Sequence, residues 1–202
     1  MFSYGVYEYL GILAGLLSAF AFVPYIYSIT QGAIPSLASW SVWTVIGVLG
    51  CSSYLTANNG WVSTAWVASV YVVAPLATAL MTWWYGARFQ RLNGVEITCL
   101  IGAFFGVVVW FVTRSATAAL LIFIFIDGVG TMPTIVKSYY DPYGESLFAW
   151  KCSLLGSICN VFAIEQWTIA TASYPTYLAL SILTLTLVII YRRRYVTAPS
   201  LN

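Results

Sequence analysis

Seven apolar runs divide the chain. They extend over about Tyr7 to Ile29, Leu37 to Thr56, Trp61 to Tyr85, Val95 to Val112, Ala116 to Ser138, Ser146 to Ile164 and Thr176 to Tyr191. Most are close to the roughly 20 residues that cross a hydrocarbon core of about 30 Å. Stretches such as Leu120 to Ile126 lack the apolar–polar alternation of barrel strands. Helices are the remaining solution, because lipid offers the backbone no water to bond. The polar breaks between runs are short. Gln31-Gly32-Ala33-Ile34-Pro35, Asn58-Asn59-Gly60 and Asp141-Pro142-Tyr143-Gly144 are turn compositions. Glycine and asparagine accept positive φ there, and proline presets φ. Spans joined this tightly are expected to be antiparallel neighbours.

Two stretches of the pattern match. Pro24-Tyr25-Ile26-Tyr27-Ser28 is followed by a turn with Pro35 and by Ser36-Leu37-Ala38-Ser39-Trp40. Pro133-Thr134-Ile135-Val136-Lys137 is followed by a turn with Pro142 and by Ser146-Leu147-Phe148-Ala149-Trp150. Each puts a proline near the end of one span and Ser-Leu-x-x-Trp at the start of the next. The first and second spans thus correspond to the fifth and sixth, and the fourth inverts the chain between two triplets. The pattern predicts an all-α integral membrane protein with seven transmembrane helices in a 3+1+3 arrangement. Two parallel three-helix repeats cover residues 1–86 and 116–202, the second with a short basic tail, and a linker helix lies in 87–115.

These proline, turn and Ser-Leu-x-x-Trp elements resemble the SWEET, PQ-loop and PnuC group of small-solute transporters. The second element is the closer match. Pro24-Tyr25 and Pro133-Thr134 stand where the family carries proline-glutamine. The resemblance implies a transporter working by alternating access, with prolines as hinges near the inner helix ends. Some proteins of this broad architecture are sorting receptors, which bind without transporting.

Composition agrees with lipid as solvent. The chain is 61% hydrophobic and 7% charged, against about 25% charged for soluble domains. A net charge of +2 suggests no nucleic-acid partner. The first run lacks the charged flank and cleavage site of a signal peptide and reads as a retained helix. Six basic residues, Arg88, Arg91, Lys137 and Arg192 to Arg194, fall on one side, and Arg114 on the other. By the positive-inside rule the N-terminus is outside and the C-terminus cytoplasmic. Trp61, Trp83, Trp84, Trp110 and Trp167 near span ends read as an interfacial belt.

The chain has no histidine. That removes histidine triads and histidine metal clusters, and no enzyme, cofactor or metal reading follows. Cys51, Cys99, Cys152 and Cys159 lie in apolar runs and read as buried thiols. A rhodopsin-type receptor would need a Schiff-base lysine, and the seventh span has none.

Candidate solute-binding residues are few. Asp127 lies at the middle of the fifth span, where an ionisable group costs about 2.5–3.5 kcal/mol to insert and marks function by default. Gly128 and Gly130 beside it permit close approach. Lys151, roughly 8 Å away in depth at 1.5 Å per residue, either neutralises Asp127 or extends to the interface. Asn160 and the indoles of Trp43 and Trp150 complete the expected site, with Trp40 weaker because it suits the belt. Pro24 and Pro133 remove backbone donors and read as gates or as static kinks. If Lys151 offsets Asp127, the cavity favours a neutral polar ring such as a sugar. If Lys151 points away, a cationic amino acid or vitamin cation is favoured. A nucleoside and proton coupling also stay open. Gly11-x-x-x-Gly15 and Gly102-x-x-x-Gly106 suit either packing inside the bundle or a homo-oligomer contact.

Overall fold

The computed structural model describes residues 5–32, 35–89 and 91–196. Ala33 and Ile34 of the first predicted turn lie outside the described residues. Among those described there are seven α-helices and no strand: α1 Val6–Thr30, α2 Leu37–Ala57, α3 Ala65–Trp84, α4 Gly94–Thr113, α5 Ala116–Tyr140, α6 Leu147–Phe162 and α7 Ile169–Arg192. Five of them, α1, α3, α4, α5 and α7, are long and apolar enough to cross a membrane. α6 has 16 residues. α2 has the length, but Ser39, Ser41, Thr44, Ser52, Ser53 and Thr56 lower its hydropathy. Several of these hydroxyls are satisfied inside the helix, Ser41 by Leu37 O at 2.8 Å and Ser53 by Leu49 O at 2.9 Å.

Side-chain caps start α2, α4, α5, α6 and α7. Ser36 accepts from Ser39 N at 3.1 Å and Ser146 from Ala149 N at 3.3 Å, so the two Ser-Leu openings fold the same way. Asn93 and Glu96 form a reciprocal capping box at α4. A Glu96 carboxylate oxygen also accepts a close hydrogen bond from the Ser39 hydroxyl, tying α4 to the start of α2. In the second turn Asn59 and Gly60 have φ of 57° and 133°, the left-handed region that this sequence suits.

α7 begins at Ile169, seven residues before the expected Thr176. Pro175, in the added first turns, sits buried inside α7. α3, expected from Trp61, begins later, at Ala65, and contains the buried Pro75. The expectation that successive spans pack as neighbours holds for α2 with α3, α4 with α5 and α6 with α7, and fails for α1 with α2, α3 with α4 and α5 with α6. α3 packs on both α1 and α2, and α7 packs on both α5 and α6. α1 packs on α6, α2 on α5, and α4 on α5 and α2. α1 and α2 are therefore bridged by α3. Their six-residue connection can extend about 20 Å, enough to pass an intervening helix.

Both glycine motifs are used within the bundle. A Cβ on Gly11 would lie 2.0 Å from Ser63 O, and one on Gly102 would lie 2.8 Å from Ile126 Cγ1. The outer surface is apolar. Phe104, Phe105, Phe111 and Phe125 are exposed, and contiguous apolar area on this scale suits a lipid environment. Trp61, Trp83, Trp84 and Trp167 are exposed at helix ends or in connections, whereas Trp110 packs partly into the α2–α4–α5 core.

Candidate functional site

A cavity of about 620 Å³ lies among the helices. Its wall comes from α1, α2, α3, α5, α6, α7 and the connection before α6, and α4 contributes nothing. It runs from Gly50, Leu120 and Tyr174 in the interior to Ser28, Lys137 and Glu145 at the face where α1 and α5 end. The size is typical of small-molecule sites, which fall at about 300–1,000 Å³. The wall is mostly apolar and aromatic, with Phe22, Tyr25, Trp40, Trp43, Tyr71, Phe123, Trp150 and Tyr174.

Asp127 is on this wall at mid-depth. One carboxylate oxygen accepts from the Tyr177 hydroxyl at 2.6 Å. Among the described residues no other side chain is hydrogen-bonded to it. Trp43 enters beside Asp127 because Gly130 lacks a side chain. A Cβ there would lie 2.4 Å from Trp43 Cη2.

The mouth is polar. Lys137 Nζ meets Glu145 Oε1 at 2.9 Å, the one ion pair among the described residues. Glu145 also accepts from Trp150 Nε1 at 3.2 Å, while Trp40 Nε1 donates to the Tyr25 hydroxyl at 3.1 Å. The tryptophans of both Ser-Leu-x-x-Trp elements are thus held by a polar partner near the same mouth.

Beyond the opposite end lies a second polar cluster. Tyr54, fully buried, shares a hydrogen bond of 2.5 Å with the Thr64 hydroxyl and donates to Thr171 O at 2.8 Å. Asn58 Oδ1 accepts from the Thr171 hydroxyl at 2.6 Å. Proline chemistry explains the Thr171 contact. Pro175 has no N–H, so the carbonyl four residues earlier has no helical donor. Tyr54 supplies one. In α3, Pro75 frees the Tyr71 carbonyl in the same way, and that oxygen lies against Gly47, 2.4 Å from where a Cβ would be.

Of the residues expected to bind solute, Asp127, Trp43 and Trp150 line one cavity, together with Pro24 and Trp40. Lys151 and Asn160 do not. Lys151 is exposed and makes no ion pair with Asp127. It follows Trp150 directly, and consecutive helical residues point about 100° apart. Pro133 is exposed and also off the wall. Asn160 is fully buried, and neither amide atom has a hydrogen-bond partner among the described residues. Leaving such atoms unpaired costs about 1–3 kcal/mol. Asn160→Leu, which keeps the branching and removes both polar atoms, is therefore expected to raise the melting temperature in detergent. A lowered one would mean that the amide is paired in solution.

Sequence reasoning did not single out Tyr71, Tyr174 or Tyr177, nor Pro75 and Pro175. The prolines carried the same signal as Pro24 and Pro133, a missing donor inside an apolar run. The tyrosines carried none, being three of fifteen. The chain matches no family model, no curated protein and no solved structure.

Proposed function

We propose that this protein is a membrane transporter that moves a small polar solute by alternating access. In this reading all seven helices span the bilayer as a 3+1+3 bundle. Two three-helix units, within residues 1–86 and 116–202, are joined by the helix of 87–115. The observation that carries it is the composition of the cavity wall. Every helix of both units contributes, and the joining helix contributes none. Further support comes from α3 packing on α1 and α2 as α7 packs on α5 and α6. Movement of one unit against the other would change access to such a cavity. The basic bias assigns the mouth at Lys137 and Glu145 to the cytoplasmic side, with the N-terminus outside.

The preference for a sugar leaned on Lys151 offsetting Asp127. Lys151 is off the cavity wall, so that support is gone. The solute is therefore proposed at the level of a small polar molecule.

Uptake of labelled small solutes into proteoliposomes tests the proposal. Binding with no flux of any solute would instead make the protein a receptor. The hinge is tested in the same vesicles. Pro24→Ala gives the Phe20 carbonyl a backbone donor, and one hydrogen bond of about 1 kcal/mol corresponds to roughly fivefold in rate. Exchange is expected to slow by about that factor, with equilibrium binding nearly unchanged. Unaltered exchange in Pro24→Ala and Pro133→Ala would leave both prolines as static kinks.

A further inference from the structure

Three charged side chains line the cavity: Asp127, Lys137 and Glu145. Lys137 and Glu145 pair with each other at the mouth. Lys137 is ten residues from Asp127 on the same helix, about 15 Å along its axis. Lys151 faces away. At the mouth, Arg193 is engaged by the carbonyls of Pro142 and Glu145 at 3.1 and 2.8 Å. The interior of the cavity therefore carries one carboxylate with no cationic partner. An uncompensated charge in a low-dielectric interior is costly, and a cation from solution relieves that cost.

The surroundings restrict which cation fits. Calcium takes six to eight oxygen ligands, and magnesium near-ideal octahedral coordination. Among the described residues no group of three His, Cys, Asp or Glu side chains is suited to a metal. The space is also far larger than a bare ion. What surrounds Asp127 is aromatic, with Trp43 on Gly130 one turn away and Tyr71, Trp150 and Tyr174 on the wall. Aromatic rings attract cations through their quadrupole, and most strongly where water is excluded. A neutral solute would gain the rings but leave the carboxylate uncompensated.

We propose that the cavity takes a small organic monocation, its ammonium group against the Asp127 carboxylate and its alkyl groups against the aromatic wall. Tyr177 holds the carboxylate through one oxygen and leaves the other for the ligand. The inference deepens the transport function and rests on it for the role of the bound molecule as solute.

Matched pairs of probes test it by calorimetry on the full chain in detergent. Choline is compared with its neutral isostere 3,3-dimethylbutan-1-ol, and phenethylammonium with 2-phenylethanol. Each cation is expected to bind about tenfold or more tightly than its neutral partner. Asp127→Asn should erase that difference while leaving the neutral affinities within about twofold. Gly130→Ala, which forces Trp43 aside with Asp127 intact, should weaken both cations. Equal binding within each pair, no cation binding at all, or a preference that persists in Asp127→Asn overturns the proposal. The wild-type comparison decides alone if Asp127→Asn does not fold. Flux of the same probes and of glucose into proteoliposomes separates the two readings. Cations bound but not moved keep the site and remove transport. Solute moved without any preference for cations keeps transport and removes this site.

Discussion

Gly11→Ala is expected to destabilise the bundle more than Gly102→Ala, although both alter a Gly-x-x-x-Gly stripe by one methyl. The difference lies in what the new Cβ meets. At position 11 it would fall 2.0 Å from Ser63 O and 2.8 Å from Ser63 C, both backbone atoms. Neither can rotate away, so α1 must separate from the segment leading into α3. Overpacking of this kind costs about 1–3 kcal/mol and at times more. At position 102 the neighbours are Ile126 Cγ1 at 2.8 Å and Cδ1 at 3.1 Å, atoms that another rotamer can move. Thermal unfolding in detergent should rank wild type above Gly102→Ala and Gly102→Ala above Gly11→Ala. Equal melting temperatures for the two variants would contradict the α1–α3 contact described here.

Tyr54→Phe is expected to loosen the end of the bundle opposite the polar mouth. The hydroxyl serves two buried partners from other elements, Thr64 before α3 and the Thr171 carbonyl of α7. Phenylalanine preserves the ring contact with Tyr174, whose centroid is 5.7 Å away, and removes only the polar link. Each partner left unpaired costs about 1–3 kcal/mol. Cys51 reports the consequence. It is one turn from Tyr54 on α2 and lines the cavity. In a variant keeping Cys51 as its one cysteine, an impermeant maleimide applied on the Asn58 side should label it faster after Tyr54→Phe. Unchanged labelling would mean that the cluster does not close that end.

Much of this architecture can be read from the chain because lipid imposes a simple rule. An apolar run long enough to cross must be a helix, and six of the seven helices start within a few residues of their expected positions. The exception, α7, starts earlier because the mildly apolar Ile169 to Pro175 segment is still helical, capped by Thr168 and carried past Pro175 by the Tyr54 hydroxyl on the Thr171 carbonyl. Asp127 is recognisable as a charge inside an apolar run. Its partner Tyr177 is not, because it comes from a helix 50 residues further on and its residue type is common here. Lys151 misleads through proximity in sequence. Helical periodicity places Trp150 and Ser153 on one face and turns Lys151 away from it, and the cavity wall follows that division. Asn160 was expected on the cavity wall from its polarity and lies off it.

The carbonyls released by Pro75 and Pro175 tie their sequence positions to others that are remote in the chain. Pro175 and Tyr54 form one unit, since a residue with an N–H at 175 would offer Thr171 O a donor within its own helix. Tyr54 would then share that oxygen instead of being its sole support. Pro75 and Gly47 form another, in which the Tyr71 oxygen, freed of its helical donor, packs where a partner without a side chain is required. In each unit one position constrains the other. Evolutionary drift at the proline relaxes the demand on α2, and among descendants of this sequence positions 54 with 175 and 47 with 75 should co-vary.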